Sequence, residues 1–162
     1  MRNFPLHLDQ VEEIALPVEE YIVVMADTLA FLHWVAEVDA SDVEFVLAPA
    51  RQKYEGPSLE GKGFKTGAFG EHDMWILDFD CCRRMEMNGN GVMQAARAFW
   101  RNDPFYPRPG TEGKKYWKLF RKRFEGVSEG MLQERSDQVR RLPTQLMDKV
   151  EETVGGWTKG AV

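Results

Sequence analysis

One stretch of the chain decides its fold: Met74-Trp75-Ile76-Leu77-Asp78-Phe79-Asp80-Cys81-Cys82-Arg83. A short apolar run, typical of a buried strand, ends there in two carboxylates that flank an aromatic ring. Strands that end in acidic residues at a sheet edge are a common way to hold a metal ion over a phosphate. We therefore expect a strand whose last residues lie next to a candidate metal site.

The segment between Val18 and Leu47 shows the same order of features earlier in the chain. Its apolar residues recur at the spacing of a helix with one buried face. An acidic loop from Asp39 to Asp42 follows, and Val43–Leu47 then alternates between apolar and polar positions as a strand does. The helical stripe consists of Val18, Ile22, Met25, Leu29, Leu32 and Ala36.

The two predicted strands are the basis of the fold prediction. We expect Val43–Leu47 and Trp75–Leu77 to pair as a hairpin, and residues 48–70 to be a long loop because they are rich in Gly and Pro. The predicted fold class is α+β, mainly helical, with a small two-stranded β-hairpin. Helices are predicted over residues 18–38, 91–101 and 115–133. The predicted division is an N-terminal segment 1–17, a central domain 18–135 and a C-terminal helical tail 136–162.

Composition excludes several classes of protein. The 162 residues carry a net charge of −5 with acidic and basic side chains interspersed, so no basic surface for nucleic acid is indicated. The sequence shows no signal-peptide core and no apolar run of membrane length. Cys81 and Cys82 are adjacent, and adjacent cysteines rarely pair because the bridge strains the peptide between them. We therefore expect an intracellular protein, cytoplasmic or nuclear, that binds neither nucleic acid nor membrane.

The order of helix, acidic loop, two strands and Asp-Phe resembles the C-terminal lobe of protein kinases and aminoglycoside phosphotransferases. In that resemblance Asp39 takes the place of the catalytic Asp that accepts the proton of the attacking hydroxyl. Glu44 stands where those enzymes have a metal-binding Asn, and Asp78, followed by Phe79, takes the place of the second magnesium ligand. The resemblance implies a magnesium site made by Asp78 and Glu44, with ATP as the phosphate donor.

Three departures from the kinase pattern argue against an intact enzyme. Glu44 adds a negative charge that an Asn would lack, and 78 − 39 = 39 residues separate Asp39 from Asp78. No strand-rich N-terminal lobe precedes the helix, so we expect the Gly-rich loop and the Lys–Glu pair that anchor ATP to be missing. The acids then have three possible roles: they cap strands by binding backbone amides, they form a working magnesium site, or they are the remnant of one.

Two other motifs do not indicate a site. Residues 56–63 approach the P-loop pattern but end in Gly instead of Ser or Thr, and no helix follows to bind phosphate. The paired spacing of a zinc site is missing from the cysteines and from the histidines, His7, His33 and His72.

The prolines and aromatic rings of residues 99–109 leave two interpretations open: they either fill the core or present a rigid surface to a partner.

Several long motifs carry a second resemblance. They are residues 3–10, 25–34, 42–47, 75–83 and 98–104. These motifs resemble a fungal domain family of unknown function whose members are often labelled zinc finger proteins, and the resemblance covers roughly residues 3–130. It implies no activity, cofactor or site residue. Members are commonly longer at the N-terminus, so we expect a shortened member or part of a longer protein.

We expect a non-catalytic binding or interaction domain without a cofactor, because half of the ATP cleft is missing. The alternative is a phosphotransferase half-site, dependent on ATP and magnesium, that a missing N-terminal lobe or a partner chain completes. An uncovered cleft would bare an apolar surface that includes Phe45, Phe79 and Trp34. Residues 1–17 or a second copy related by two-fold symmetry would cover it. The expected partner is therefore another protein or a homodimer.

Overall fold

The structure is a computed structural model that describes residues 8–50, 63–102, 106–110 and 113–154. Predictions that concern the other residues, among them His7 and the P-loop-like segment, lie outside the described residues. None of the helices in the described part is both long and apolar enough to cross a lipid bilayer. The fold is α+β, and its elements in the described residues are α1 (Leu8–Glu13), α2 (Val18–Trp34), β1 (Glu44–Pro49), β2 (Phe64–Thr66), β3 (Gly70–Leu77), α3 (Gly89–Arg101), α4 (Lys114–Met131), α5 (Asp137–Arg140) and α6 (Leu142–Glu152).

The sheet confirms the predicted pairing of its two longer strands. β1 and β3 run antiparallel, with Phe45 opposite Ile76 and Leu47 opposite Met74. These four side chains share one face, because residues alternate between the two faces of a strand. Phe45 is buried in the main core, and Met74 and Ile76 pack against it.

The prediction of a two-stranded hairpin was wrong, because the sheet has a third strand. β2 pairs with the other edge of β3 and gives the strand order β1-β3-β2. Residues 48–70 are accordingly not one loop, since β1 continues to Pro49 and β2 lies inside that range. Burial of Phe64 accounts for β2: its ring packs edge-on against Tyr21, with centroids 4.7 Å apart.

The first long helix, α2, is shorter than predicted. It begins after Pro17 and ends at Trp34, before the predicted end at Val38. Val38 instead pairs with Arg84 in an isolated antiparallel bridge. His33, in the last turn, donates a hydrogen bond of 2.9 Å from Nδ1 to the carbonyl of Val38. Both contacts direct the chain after Trp34 out of the helical path, so the helix ends there.

Helices α2 and α4 pack side by side through the centre of the core. Trp34 lies between them and donates a hydrogen bond of 2.8 Å from Nε1 to Oγ of Ser128. The predicted apolar stripe on α4 is confirmed. Its buried members are Trp117, Phe120 and Phe124, and its margin is formed by Val127 and Met131.

Tyr106 shows what the aromatic segment after α3 does. Its ring is buried and stacks on Phe99, with centroids 5.2 Å apart, and it meets Phe45 edge-on at 5.5 Å. The described aromatic residues of 99–109, which are Phe99, Trp100 and Tyr106, therefore fill the core. Residues 103–105 lie outside the described chain.

The C-terminal helix α6 packs against α3 and α4 and completes the core. Trp100 donates from Nε1 to the carbonyl of Val150 at 3.2 Å, and Trp117 donates from Nε1 to the Glu151 carboxylate at 2.7 Å. Arg121 on α4 forms ion pairs with two carboxylates of α6 at 2.6 and 2.8 Å. The buried face of α6 consists of Leu142, Pro143, Leu146, Met147 and Val150.

Candidate functional site

Two loops meet where β1 begins and β3 ends, and the predicted site residues lie on them or next to them. The first loop, residues 35–43, joins α2 to β1, and the second, residues 78–88, joins β3 to α3. The strand register places Glu44 opposite Leu77, the last residue of β3. The isolated antiparallel bridge described above joins the two loops further along, so they run side by side.

Asp39, the predicted catalytic base, has its carboxylate engaged in hydrogen bonds on both oxygens. The residue is only 6% exposed. Its Oδ1 accepts hydrogen bonds from the backbone N–H of Ser41 at 3.1 Å and of Arg83 at 2.9 Å. Its Oδ2 accepts one from the Gln94 side-chain amide on α3 at 2.9 Å. The carboxylate therefore ties both loops to α3, which is the amide-binding role anticipated for these acids.

Asn102 also holds the first loop, through two hydrogen bonds to its backbone. The residue is buried at the end of α3, and its Oδ1 accepts a hydrogen bond of 2.7 Å from the backbone N–H of Asp42. Its Nδ2 donates one of 2.8 Å to the carbonyl of Ala40. Sequence reasoning assigned no role to Asn102 or to Gln94. The available signal was the position of Asn102 in one of the long motifs, at the C-terminus of a helix.

Four non-glycine residues of the two loops adopt the left-handed backbone conformation. Their φ angles are 53° for Glu37, 54° for Ala40, 65° for Asp42 and 62° for Asp78. This conformation costs an L-residue about 1 kcal/mol, and Asp tolerates it better than most. Such strain persists only where the surrounding structure overrides local preference. The hydrogen bonds of Asp39 and Asn102 provide that constraint in the first loop.

Glu44 and Asp78, the predicted magnesium ligands, are brought to the same end of the sheet. Glu44 is half-buried at the start of β1, and Asp78 is exposed and directly follows the residue opposite Glu44. Two carboxylates can share a magnesium ion with a substrate phosphate. Magnesium binding by this pair stays a prediction.

The two cysteines follow on the second loop as free thiols. Cys81 is exposed, and Cys82 is half-buried with its Sγ 3.6 Å from the carbonyl of Ser41. Partial burial raises the pKa of the Cys82 thiol, and the Asp39 carboxylate raises it further. A raised pKa lowers the thiolate fraction and hence the nucleophilicity. The structure therefore gives no support to a nucleophilic cysteine at position 82.

The exposed apolar surface differs from the prediction in two of three residues. Phe79 is 48% exposed, and neighbouring Leu77 is 41% exposed. The expectation that Phe45 and Trp34 are exposed to solvent was wrong, because only 9% and 3% of their surfaces are accessible. Tyr106 covers Phe45, and α4 covers Trp34 through Ser128 and Phe124.

The described residues do not fit a zinc site. His33 is buried between aromatic rings with its Nδ1 bonded to a carbonyl. His72 is buried, with Nδ1 3.0 Å from the Gly70 carbonyl and Nε2 2.6 Å from the Tyr21 hydroxyl. In the part of the chain that the structure describes, no three His, Cys, Asp or Glu side chains are grouped so that they could hold a metal ion.

A groove of about 490 Å³ lies between α4 and the start of α6, far along the chain from these loops. Its charged lining consists of Glu125, Glu129, Asp137, Arg140 and Arg141. Acidic and basic groups are mixed there, so the groove has no preference for a ligand of either charge. It carries no chemistry that would mark it as a site.

Comparison with known protein families gives a match to part of the chain. The model of a domain family of unknown function, described as "zinc finger protein", matches residues 74–136, from β3 to just beyond α4. No curated protein matches the chain, and no solved structure matches it. The matched segment contains two adjacent cysteines and no histidine, so it lacks the four ligands of a zinc finger.

Proposed function

We propose that the chain is a non-catalytic binding domain built on a kinase-like C-terminal lobe. The observation that carries this proposal is the engagement of Asp39. A general base must be free to reach the proton of its substrate. Both oxygens of this carboxylate instead accept hydrogen bonds from the protein, at 2.9 to 3.1 Å.

The kinase-like part of the proposal is supported by the order and pairing of elements. A helix, α2, leads into an acidic loop, a paired strand, a second paired strand and then Asp78-Phe79. The family match over residues 74–136 supports a second inference, that the chain is a member of the fungal family its longer motifs resemble. The free thiols of Cys81 and Cys82 are consistent with the further proposal of an intracellular location.

Titration calorimetry with ATP and magnesium tests the non-catalytic proposal. We expect no heat of binding from ATP with magnesium, or from magnesium alone. A saturable isotherm with a Kd in the micromolar range would contradict the proposal. The Asp78→Asn variant serves as the control for any weak signal, because it removes the most exposed of the predicted ligands while Asn tolerates the left-handed backbone at that position.

A second candidate function, the phosphotransferase half-site, is favoured by the register of β1 and β3. That register makes Glu44 and Asp78 near neighbours, as two ligands of one metal must be. Asp39 would then have to exchange its protein hydrogen bonds for the substrate hydroxyl. If this candidate is right, Asp78→Asn abolishes phosphoryl transfer in the completed assembly and leaves the Tm nearly unchanged. A large fall in Tm would instead mark Asp78 as structural.

A further inference from the structure

The end of β3 and the first residues of the second loop form an exposed surface beside Asp42 of the first loop. We call it the Phe79 surface, and it consists of Asp42, Leu77, Asp78, Phe79 and Asp80. The last four are consecutive in the chain. Asp42 lies beside the Cys81 thiol of the second loop, whose pKa is raised by desolvation, by the Asp42 carboxylate and, more weakly, by that of Asp78.

The centre of the Phe79 surface is apolar. Leu77 is 41% exposed and Phe79 is 48% exposed. Exposed area of this kind favours association at roughly 25 cal/mol per Å² when it is covered. Large aromatic side chains also supply much of the binding energy of protein interfaces. The two side chains therefore provide an anchor point for a partner.

The rim of the Phe79 surface is acidic. It carries three exposed carboxylates, those of Asp42, Asp78 and Asp80. The two arginines of the second loop offset this charge only in part, since they are fewer than the three carboxylates. Arg83 donates from Nη1 to the carbonyls of Asp80 and Cys82, and Arg84 lies 3.8 Å from the Glu37 carboxylate. The surface therefore attracts cations and repels nucleic acid and anionic lipid.

The Phe79 surface is held in place before any partner arrives. Phe79 is the first residue of a turn. The backbone N–H of Cys82 closes this turn by donating a hydrogen bond of 3.0 Å to the Phe79 carbonyl. The next residue, Arg83, is fixed by its N–H to the Asp39 carboxylate at 2.9 Å. A surface that is already ordered loses less conformational entropy on binding. This favours its use as a docking surface.

We propose that the Phe79 surface docks a basic segment of a protein partner. An apolar side chain of that segment would cover Leu77 and Phe79, and its Lys or Arg side chains would pair with the surrounding carboxylates. A second copy of the chain is the poorer occupant. A two-fold interface places the same patch on both sides, so these carboxylates would face one another. This inference rests on the proposed binding function and specifies its partner.

Selection from a displayed library of random 12-residue peptides tests the proposal. We expect the enriched peptides to combine Lys or Arg with an aromatic or branched aliphatic residue. One enriched peptide is then synthesised, and its Kd is measured by fluorescence polarisation at two salt concentrations. Binding should weaken as salt rises, because the charge pairs lie in water and are screened.

Two variants and a matched control locate the contact. Phe79→Ser and Asp80→Lys should each raise the Kd about tenfold or more, with unchanged circular dichroism because both side chains are exposed. Phe69→Ser is the control: Phe69 is 49% exposed, but it precedes the first residue of β3. The eight residues of that strand separate it from Phe79 by about 26 Å. This variant should bind like the wild type.

Three outcomes would overturn the proposal. Enrichment of acidic peptides would refute the charge argument, and no enrichment would refute the docking surface. If enriched peptides bind the Phe79→Ser and Asp80→Lys variants as tightly as the wild type, the Phe79 surface is not the binding site. The binding function itself would stand. Binding of ATP with magnesium in the calorimetry above, in contrast, would refute the non-catalytic function itself, so the two failures are distinguishable.

Discussion

The side chain of Gln94 on α3 donates a hydrogen bond of 2.9 Å to Oδ2 of Asp39, a residue 55 positions earlier in the chain. The same Gln94 amide lies 3.2 Å from the carbonyl of Arg84. One side chain therefore binds both loops of the candidate site to a core helix. Because Asp39 is the centre of this network, its removal separates a structural role from a catalytic one.

Substitution of Asp39 by Ala should lower the free energy of unfolding by about 2–4 kcal/mol. Two backbone N–H groups and the Gln94 amide would lose their acceptor, and unsatisfied buried donors cost about 1–3 kcal/mol each. Urea denaturation measures the change. Asp80→Ala is the control and should stay within about 0.5 kcal/mol, since its side chain is exposed. An equally small effect of Asp39→Ala would show that the network is not structural.

Ala15→Gly should stabilise the protein by about 0.5–1 kcal/mol. Ala15 ends α1 in the left-handed conformation, with φ of 53°. The N–H of Leu16 bonds to the Val11 carbonyl at 3.0 Å, and the N–H of Ala15 bonds to that of Glu12 at 3.1 Å. This is the Schellman pattern, in which Gly is preferred after the helix.

The matched control for Ala15→Gly is Ala36→Gly. Ala36 is also exposed and has no positive φ, so Gly there increases only the entropy of the unfolded chain. We expect the two variants to shift the Tm in opposite directions. A fall in Tm for both would contradict the assigned backbone strain at position 15.

The change from Gly to Ala should have opposite effects in α3 and α4. A Cβ at Gly91 would overlap the carbonyl of Glu86, so Gly91→Ala forces the backbone to move. At Gly126 nothing lies within 4 Å of that position. Gly126→Ala should therefore stabilise α4 by up to about 1 kcal/mol through helix propensity. Gly91→Ala should destabilise by more than that, and calorimetric Tm values of the two variants compare them directly.

The stability of the protein should fall as pH decreases from 6.5 towards 4, in part because of His33. Burial lowers the pKa of His33 from 6.5 to about 4, although its hydrogen bond to the Val38 carbonyl and the Asp39 charge oppose the shift. In this range the unfolded chain binds a proton at His33 that the folded chain excludes. One such proton contributes a slope of up to about 1.4 kcal/mol per pH unit.

The variant His33→Gln isolates this contribution to the pH dependence. Gln cannot titrate, but its amide can still donate to the Val38 carbonyl. Free energies of unfolding from urea titrations at pH 7, 6 and 5 should show a shallower pH dependence in the variant. Parallel profiles would mean that other groups cause the acid sensitivity.

The sequence predicted the elements whose signal is periodic. The stripe on α4 and the pairing of the segments Val43–Leu47 and Trp75–Leu77 follow from residue spacing, because burial on one face is enough to define them. It did not predict β2, whose three residues, Phe64–Thr66, are too few for a recognisable period and depend on the Tyr21 ring from another element. The end of α2 was missed for a similar reason, since a bridge to Arg84 fixes it.

The candidate site was predicted as a set of acids but not as a network. The resemblance to kinases assigned Glu44 and Asp78 to one site, and the register places Glu44 opposite Leu77, the residue before Asp78. The partners of Asp39 could not be predicted, because Gln94 lies 55 positions away and is brought to it by the packing of α3. The exposure of Trp34 was predicted wrongly, since it is α4, from another part of the chain, that covers the ring.

The order in which the ribosome makes these segments affects when the core can form. Trp100 and Trp117 both donate their indole N–H to α6, which is synthesised after every other helix and strand described. Until Leu146, Met147 and Val150 have left the exit tunnel, the nascent α3 and α4 present apolar surface to water and to chaperones. Folding of this domain therefore cannot be completed before α6 has been made, and a premature stop before α6 would leave these faces of α3 and α4 uncovered.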